Sequence, residues 1–386
     1  MKRPVKKGEI LNLEDFHSIK FCQTPILKDN NELFKTQEPH LKLLFGDASD
    51  RKFYRFYLGQ EARAICMSFS DWTSGYGGSA SDWIHIQKKL VDLGIPCPKI
   101  YKVEKDACCI WIEDLSDHFL YNETKGKTLR EPDLNLQHYK QALDLIVLFQ
   151  YQNPSEDQPT FSRAFDKAKL AYELQIFTEY FLEKFLSLKT KDSSVNFDRL
   201  KDEFERLSTV ITQFEKVPSH RDYHSRNIMV FNDTLHWIDF QDARLGPHAY
   251  DVISLVRDSY VPCPWTTRLE LYNHYLEKLN SVRENKKYKP IKASQFIEES
   301  LYVGLQRQLK VLGSFAFMAT LKRKTQYLKY IKPTLDMLSN DNALITEGLN
   351  LKDAFQETVK LIHNLRTGCL KKTLEENILN YRHGEN

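Results

Sequence analysis

Residues 220–227 read His-Arg-Asp-Tyr-His-Ser-Arg-Asn, and residues 238–240 read Ile-Asp-Phe. Between them lie two short apolar runs, NIMVF and LHWIDF, which meet at Asn232 and Asp233 and predict a hairpin. An aspartate five residues before an asparagine, with another aspartate at the end of a short strand, is the arrangement that phosphoryl transfer requires. The sequence therefore predicts a catalytic loop over residues 220–227 and a metal-binding segment over residues 238–242.

Three side chains of this pattern suit separate parts of that chemistry. Asp222 would accept or orient the proton of the attacking hydroxyl, and Asn227 and Asp239 offer hard oxygen ligands for Mg²⁺. One alternative is structural: His220 and Asp222 would form a turn, and Asp239 would cap a strand. A second alternative is a metal site built from four histidines, although their spacing matches no usual ligand pattern. These are His220, His224, His236 and His248.

Upstream of this motif, the chain from residue 41 to about residue 115 alternates short apolar runs with turns. The alternation and the aromatic content predict five strands. Their sequences are LKLLF, RKFYRFYL, ARAICMSF, IYKVEKD and ACCIWIEDL. One helix, WIHIQKKLVDLG, is predicted between the third and fourth strands, capped by Ser81 or Asp82 and ended by Gly94. These elements predict a small α+β N-terminal lobe over residues 41–115, with residues 1–40 as a leader packed on it.

Downstream of residue 115, apolar residues recur three and four positions apart, which is typical of amphipathic helices. The stretches with this pattern are LNLQHYKQALDLIVLFQYQ, FDKAKLAYELQIFTEYFLEKFLSL, FDRLKDEFERLSTVITQFE, DVISLVRDSY, TRLELYNHYLEKLN and FIEESLYVGLQRQLKVLGSFAFMATLKR. The sequence therefore predicts a larger helical C-terminal lobe over residues 116–386. The fold class expected for the whole chain is α+β, with two lobes that share a cleft.

The composition is that of an ordinary globular protein. Of the 386 residues, 41% are hydrophobic and 28% are charged, and Lys plus Arg (55) nearly balances Asp plus Glu (52). This balance gives no reason to expect a nucleic-acid or membrane partner. Seven cysteines without a C-x-x-C spacing favour reduced thiols over a disulfide framework or a zinc site. Because no signal peptide and no apolar run of about 18 residues is present, we expect a cytoplasmic protein with no obligatory protein partner.

The motif HRDYHSRNIMV, taken with WIDFQDARLGPHAYD, resembles the aminoglycoside phosphotransferase and choline kinase superfamily, the small-molecule relatives of protein kinases. Five further stretches give a narrower resemblance, to the anomeric N-acetylmuramate/N-acetylglucosamine kinases of cell-wall sugar recycling. They are GDASDRKFYRF, IEDLSD, LAYELQIFTEYFL, YDVISLVRDSY and GLQRQLKVLGSFA. The resemblance covers about residues 41 to 340. It implies a bilobal protein-kinase-like fold that uses ATP and Mg²⁺.

The resemblance also implies roles for individual residues. Asp222 would be the catalytic base toward the anomeric hydroxyl, and Asn227 and Asp239 would hold Mg²⁺. Main-chain groups near Glu113 and Leu115 would receive the adenine ring. The hairpin turn before the second strand would cover the phosphates with main-chain N–H groups, although a turn without a ligand is an alternative for it. Its residues are Gly46, Asp47, Ala48 and Ser49.

The chain departs from protein kinases in two ways. It has no G-x-G-x-x-G, and the strand ARAICMSF carries no lysine for the α and β phosphates. Arg51 and Arg55 share one face of the preceding strand, so we hypothesise that one of them helps to neutralise the nucleotide; ordinary strand-surface arginines are the alternative. The metal segment reads Asp239-Phe240-Gln241, and no A-P-E follows. The missing activation segment favours a small hydroxyl-bearing acceptor over a peptide.

Polar residues inside apolar helices, or inside the catalytic loop, are candidates for hydrogen bonds to the acceptor. The candidates for substrate binding are Glu173, His224, Arg226, Arg257 and Asp258. A surface, helix-pairing or loop-bracing role is the alternative for each of them. Asp251 is interpreted as a brace of the catalytic loop.

These features predict an ATP-dependent kinase that phosphorylates the anomeric hydroxyl of N-acetylmuramate, N-acetylglucosamine or both. Two other classes stay open. A kinase of the same fold could act on an aminoglycoside, a choline-like amine or another sugar. An aminoglycoside site should be lined with carboxylates, whereas the segment after Asp239 mixes aspartates with arginines. The last class is a non-catalytic nucleotide-binding module.

Overall fold

A computed structural model of the chain describes residues 10–12, 39–44, 51–69, 72, 79–124, 134–151, 163–189, 194–261, 263–338 and 354–383. The chain divides into two compact units. The first unit comprises residues 1–120 and 227–243, and the second comprises residues 121–226 and 244–386. The hairpin that follows the catalytic loop is therefore grouped with the N-terminal sheet, while the loop itself is grouped with the helices.

The first unit contains an antiparallel sheet of six strands in the order β1-β2-β3-β4-β6-β5. All described strands of the chain are β1 (Ile10–Asn12), β2 (Pro39–Leu44), β3 (Lys52–Leu58), β4 (Glu61–Ser68), β5 (Ile100–Glu104), β6 (Cys109–Ile112), β7 (Lys216–Ser219), β8 (Ile228–Phe231), β9 (Thr234–Trp237) and β10 (Arg244–Pro247). The five predicted strands of the N-terminal lobe are confirmed as β2 to β6. Strand β1 is an additional edge strand, and it comes from the stretch predicted as a leader.

The buried face of this sheet follows the alternation of the sequence. Tyr54 and Phe56 of β3 are buried and pair with β4 at Cys66 and Ala64. Their side chains lie in one cluster with Trp111 of β6, whose ring meets Phe56 edge-on with centroids 6.1 Å apart. The sheet therefore has one continuous apolar face, because residues two apart on a strand point to the same side.

The helix of the first unit, Ala80–Asp92, begins earlier than predicted. Ser79, rather than Ser81 or Asp82, is the N-cap: its hydroxyl accepts from Asp82 N at 3.1 Å, and Asp82 accepts from Ser79 N at 3.0 Å. This reciprocal pair is a capping box, which needs the acceptor three residues after the cap. The predicted end is confirmed, since Gly94 has φ +70°, a conformation in which glycine is favoured.

The predicted hairpin is confirmed as β8 and β9. Asn232 and Asp233 form its turn, with φ values of 50° and 56°. Two successive residues with positive φ are characteristic of a type I′ turn, which matches the twist of the flanking strands. Backbone hydrogen bonds from Val230 N to His118 O (2.9 Å) and from Trp237 N to Pro96 O (2.8 Å) tie the hairpin to the rest of the first unit.

The second unit is mainly helical, as predicted. Its described α-helices include Leu136–Tyr151, Lys167–Ile176, Phe197–Gln213, Ala249–Val256, Trp265–Asn285, Ala293–Thr320, Gln356–Arg366 and Lys371–His383, and residues 331–338 are helical as well. Shorter helical segments are the 3₁₀ turns Leu120–Glu123 and Thr325–Tyr330 and the π-helix Phe177–Phe185. Within the described residues, no helix is both long and apolar enough to cross a membrane.

The π-helix replaces part of a stretch predicted as one continuous α-helix. Leu186 N donates to Phe181 O at 3.0 Å, five residues back instead of four. The long Ala293–Thr320 helix passes the start of this segment at Gly313, where a Cβ would lie 2.7 Å from Phe177 N and Cα. Glycine at this position allows the two backbones to pack closely.

A short antiparallel ladder of β7 and β10 encloses the catalytic region in sequence. The sequence pattern does not predict this ladder, because each strand has only four residues and contains a proline. Strand β7 ends at Ser219, so the catalytic loop begins directly at a strand end.

Candidate active site

The start of the catalytic loop is held by Asp251, as predicted. This aspartate lies on the Ala249–Val256 helix, is fully buried, and accepts from His220 N at 2.6 Å and from Arg221 N at 2.9 Å. Burial raises the pKa of Asp251 to about 7, and the two backbone N–H groups oppose that rise. The contacts fix the backbone just before Asp222, where Arg221 adopts a positive φ of 81°.

The middle and end of the loop are also anchored. The Tyr223 hydroxyl donates to Ala142 O at 2.9 Å. Asp258 accepts from both the amide and the hydroxyl of Ser225, at 2.9 and 2.5 Å, and from Tyr260 N at 2.8 Å. Asp258 is 1% exposed, so its carboxylate braces the loop in the same way that Asp251 does at the other end.

Asp222 is the one carboxylate of this loop, and it is partly exposed, with 37% of its side chain accessible. Burial of the remainder raises its pKa, but the positive charges of Lys310, Arg221 and His224 outweigh burial and hold the pKa below its usual range. Lys310 Nζ lies 3.7 Å from Asp222 Oδ1. The Asp222 carboxylate is therefore ionised at neutral pH and can accept a hydrogen bond from an alcohol.

Glu173, predicted to bind substrate, lies behind the loop. It is 1% exposed, and it accepts from Arg221 Nη2 at 2.9 Å and from Gln306 Nε2 at 3.0 Å. Lys310 Nζ and Lys169 Nζ lie 3.8 and 3.9 Å from its Oε1. These contacts suit a positioning role, because the carboxylate orients the residue next to Asp222.

Lys310 is a residue that the sequence analysis missed. It lies in the apolar stretch GLQRQLKVLGSFA, one helical turn after Arg307. A lysine at this spacing from a buried arginine was a signal for a shared polar face, because positions three apart on a helix are neighbours.

His224 and Arg226 belong to an aromatic cluster in the second unit. The Arg226 guanidinium lies 4.0 Å from the ring centroid of Tyr260, 4.9 Å from that of Tyr121 and 5.3 Å from that of Tyr330, whose hydroxyl it also contacts at 2.7 Å. His224 meets the Tyr260 ring edge-on at 5.2 Å. The tyrosines hold the Arg226 cation by cation–π attraction.

Arg257 ends the Ala249–Val256 helix and is 1% exposed. Its guanidinium lies against the Ala293–Thr320 helix at Gly304, where a Cβ would be 1.9 Å from Arg257 Nη1. The predicted contact of Arg257 with a substrate therefore involves a side chain that is packed inside the helical unit.

The segment predicted to bind metal, residues 238–242, lies in the first unit. Ile238 N donates to Asn227 O at 3.1 Å, which extends the β8–β9 hairpin and makes Asn227 and Asp239 near neighbours on its two ends. Asp239 has a positive φ of 61°, and its Oδ1 accepts from Arg51 Nη2 at 2.7 Å and from Gln241 Nε2 at 3.0 Å. An amide and a carboxylate oxygen at neighbouring positions fit the ligand preference of Mg²⁺.

A histidine metal site is not formed. Among the described residues, which include all four histidines considered above, no group of three or more His, Cys, Asp or Glu side chains could hold a metal ion. That alternative is therefore wrong.

The residues predicted to bind nucleotide differ in their surroundings. Arg55 is 7% exposed, and its guanidinium contacts both oxygens of Asp114 and of Asp117 and the carbonyl of Ser116. It therefore anchors the segment that follows β6, whereas Arg51 contacts Asp239. The predicted phosphate loop of Gly46, Asp47, Ala48 and Ser49 lies outside the described residues.

Some of the main-chain groups that follow β6 already make hydrogen bonds within the protein. Glu113 N donates to Lys99 O at 2.9 Å, and the Glu113 carboxylate contacts Lys99 N and Nζ. Leu115 is 3% exposed, and within the described chain its amide donates no hydrogen bond.

The comparison with curated proteins finds three relatives, all described as N-acetylmuramate/N-acetylglucosamine kinase. The relative from Pseudomonas aeruginosa is 27% identical over 289 residues, which cover 73% of this chain and 78% of the relative. The relative from Neisseria meningitidis serogroup B is 25% identical over 296 residues, which cover 76% of this chain and 82% of the relative.

The comparison with solved structures finds the same fold. The choline kinase from Cryptosporidium parvum Iowa II matches with a TM-score of 0.57 and 13% identity, over 85% of this chain and 95% of that one. This likeness confirms the predicted α+β kinase-like fold.

A family model described as "Phosphotransferase enzyme family" matches residues 41–284. The match contains most of β2 and all of β3 to β10, and therefore both the predicted catalytic loop and the predicted metal-binding segment. It confirms the prediction of an ATP-dependent kinase with a hydroxyl acceptor. The chain belongs to the phosphotransferase enzyme family.

Proposed function

We propose that the protein transfers the γ-phosphate of ATP to the anomeric hydroxyl of an N-acetylated amino sugar, N-acetylmuramate or N-acetylglucosamine, in the recycling of cell-wall sugars. The names of the three curated relatives support a sugar acceptor. The observation that carries the proposal is the partly exposed, ionised Asp222 at the centre of a loop anchored from both ends. Because the reaction uses ATP, we place it in the cytoplasm.

Asp222 would accept a hydrogen bond from the sugar hydroxyl and orient it toward the γ-phosphorus. The bond between the sugar oxygen and phosphorus forms while the bond to the β-phosphate oxygen breaks, and ADP leaves with that electron pair. The hydroxyl proton passes to Asp222 and then to solvent. A carboxylate with a depressed pKa is a weak base, so its main contribution is to hold the hydroxyl in line, which suits a loose transition state.

Asn227 and Asp239 are the residues we assign to Mg²⁺. The ion, when bound, would neutralise charge on the β- and γ-phosphate oxygens. Arg51 is the cation we assign to the nucleotide, since it already contacts Asp239, whereas the Arg55 donors are engaged by two aspartates and a carbonyl. The Leu115 amide and the Glu113 carbonyl are the main-chain groups we assign to adenine, and residues 46–49 stay our prediction for the segment that covers the phosphates.

The residues predicted to bind the sugar fall into two groups that differ in burial. His224 and Arg226 lie within the catalytic loop beside Asp222, and they remain our assignments for contact with the sugar. Glu173, Asp258 and Arg257 are almost fully buried. We propose that these three support the acceptor site by positioning the loop and its cations.

Phosphorus and proton NMR of the purified protein with ATP, Mg²⁺ and single acceptors tests the proposal. We expect a new anomeric phosphate doublet coupled to the sugar's position-one proton with N-acetylmuramate or N-acetylglucosamine. Choline, an aminoglycoside and simple hexoses serve as comparison acceptors. ADP formed only with one of these would contradict the amino-sugar assignment while preserving the phosphotransferase chemistry.

Asp222→Asn separates a catalytic role from a structural one. The amide keeps the size of the side chain but cannot take a proton, so we expect turnover to fall by about 10² or more with the Kd for ATP unchanged. Loss of nucleotide binding in this variant, with an intact thermal unfolding transition, would contradict the assigned role.

A further inference from the structure

Cationic side chains converge on one buried carboxylate in the second unit. Glu173 Oε1 lies 2.9 Å from Arg221 Nη2, 3.8 Å from Lys310 Nζ and 3.9 Å from Lys169 Nζ. Because one carboxylate carries one negative charge, it neutralises only part of the positive charge around it. The surplus lies next to Asp222, since Lys310 also contacts that residue.

The wider surroundings add to the surplus. We define the cationic cluster as Lys169, Arg221, Arg244, Arg307 and Lys310. These five cations act on one another or on Asp222 electrostatically. The acidic side chains among them are Glu173, Asp222 and Asp251. Even with all three acids ionised, positive charges outnumber negative ones.

Two members of the cationic cluster have donors to offer. In the described chain, neither Lys169 Nζ nor Lys310 Nζ lies within hydrogen-bond distance of a carboxylate, because their contacts with Glu173 and Asp222 are 3.7 to 3.9 Å long. Their side chains are 29% and 15% exposed. An ammonium group has three hydrogens to donate, so each lysine can take an added acceptor oxygen without losing an existing hydrogen bond.

The pKa of Lys169 also indicates an excess of positive charge around it. Burial, together with repulsion from Arg221, Arg244 and Lys310, lowers its pKa to about 8, although Glu173 opposes the shift. The ring of Tyr172 lies 5.7 Å from its Nζ and carries no formal charge at neutral pH. When neighbouring cations lower the pKa of a lysine, an anion bound beside it stabilises the protonated ammonium form.

We propose that Lys169 and Lys310 bind a carboxylate of the acceptor, so that the enzyme prefers an acidic amino sugar over its neutral counterpart. The inference rests on the proposed function and narrows its substrate class. Lys310 contacts Asp222, which would hold the reacting hydroxyl, so one sugar could engage both residues. A polycation such as an aminoglycoside would be repelled by the same surplus charge.

N-acetylmuramate and N-acetylglucosamine form a matched pair of test substrates, because they differ by one lactyl ether that carries a carboxylate. We would measure steady-state kinetics of Lys169→Gln and Lys310→Gln with both sugars at saturating ATP. For each variant we expect kcat/KM for N-acetylmuramate to fall about 10- to 100-fold, mainly through KM. The value for N-acetylglucosamine should change much less, so the ratio between the sugars is the readout.

Lys167→Gln is the matched control. It lies two residues before Lys169 on the same helix, is 53% exposed, and contacts Glu205 rather than the cationic cluster. The ratio between the two sugars should equal that of the unmodified enzyme. Lys310→Arg, which keeps the charge, should retain most of the preference for the acidic sugar.

An equal loss for both sugars would overturn the inference, because the lysines would then serve the transferring phosphoryl group or the fold. If the unmodified enzyme phosphorylates neither sugar, the proposed function fails, and calorimetric titration of the two sugars decides the inference separately. Tighter binding of the acidic sugar, lost in Lys169→Gln, would still support a carboxylate site. Equal binding, or none, would overturn it.

Discussion

Arg51 Nη2 lies 2.7 Å from Asp239 Oδ1, within the same unit. The pair joins the residue before β3 to the second residue after β9, and Gln241 Nε2 donates to the same carboxylate oxygen at 3.0 Å. The Arg51 side chain is 11% exposed and the Asp239 side chain is 40% exposed, so the pair is partly buried on the arginine side and open to solvent on the carboxylate side. Because water can hydrate the Asp239 carboxylate, we expect the pair to add only modest stability.

Arg51→Ala should weaken the use of ATP without unfolding the protein. Removing the cation withdraws positive charge near the nucleotide, so we expect KM for ATP to rise about tenfold, as for the loss of one charged hydrogen bond. The free energy of unfolding should change by less than about 1 kcal/mol. Steady-state kinetics with varied ATP and urea denaturation measure the two effects. An unchanged KM and kcat would contradict the assignment of Arg51 to the nucleotide.

Arg55→Ala should show the opposite pattern. The side chains of Arg55 and Asp114 are 9% and 8% exposed, so removing the guanidinium leaves a buried carboxylate without its partner. We expect a loss of about 2–4 kcal/mol in the free energy of unfolding. At temperatures where the variant is folded, KM for ATP should change less than in Arg51→Ala. If KM for ATP rises more in Arg55→Ala than in Arg51→Ala, Arg55 rather than Arg51 is the cation that serves the nucleotide.

The β8–β9 hairpin was predictable because its signal is local, since Asn232 and Asp233 favour positive φ. The roles of Asp222, Asn227 and Asp239 stay predictions from their spacing in the sequence. The brace at Asp251 was also predictable, from its position in a resembling motif.

The rest depends on contacts between residues far apart in the chain. Nothing in the sequence around Glu173 or Lys310 shows that they lie 3.8 Å apart. Arg51 and Arg55 share a strand face, yet the aspartates that distinguish them come from other segments. The capping box at Ser79 was not predicted for a simpler reason: Ser81 and Asp82, which can also cap a helix, lie closer to its first large apolar residue, Trp83.

Gly313→Ala should destabilise the helical unit. The added methyl group would lie 2.7 Å from Phe177 N and Cα, and these are backbone atoms that cannot rotate away. We expect a loss of about 1–3 kcal/mol, the usual cost of overpacking. Gly94→Ala is a useful comparison, since a Cβ there meets no atom within 4 Å and only the backbone strain at φ +70° should count. Chemical denaturation of both variants measures the difference.

Glu299→Gln should make stability less sensitive to pH. Burial raises the pKa of Glu299 to about 7, against the opposing hydrogen bond from Ala249 N at 2.8 Å. A carboxyl whose pKa is raised on folding contributes stability below its unfolded pKa and loses that contribution as pH rises toward 7. We therefore expect the variant to gain about 1–3 kcal/mol relative to the unmodified protein between pH 5 and pH 8. Urea denaturation across this range measures it, with the 52% exposed Glu205 as a control for Glu→Gln exchange. If the difference in free energy of unfolding between Glu299→Gln and the unmodified protein is the same at every pH from 5 to 8, the pKa of Glu299 is not raised on folding.

Lys310→Met should shift the acid side of the activity profile to higher pH. In the unmodified enzyme Lys310, Arg221 and His224 hold the pKa of Asp222 below its usual range against the effect of burial. When the ammonium is removed, burial remains and the pKa rises, so the fraction of ionised Asp222 declines at a higher pH than before. The measurement is log(kcat/KM) for N-acetylglucosamine between pH 4.5 and pH 8, because a neutral sugar adds no charge of its own. Titration of ATP affects all variants alike, and Lys167→Gln should superimpose on the unmodified enzyme. If the Lys310→Met profile also superimposes, the charge of Lys310 does not control the ionisation of Asp222, and the contact at 3.7 Å has no part in the reaction.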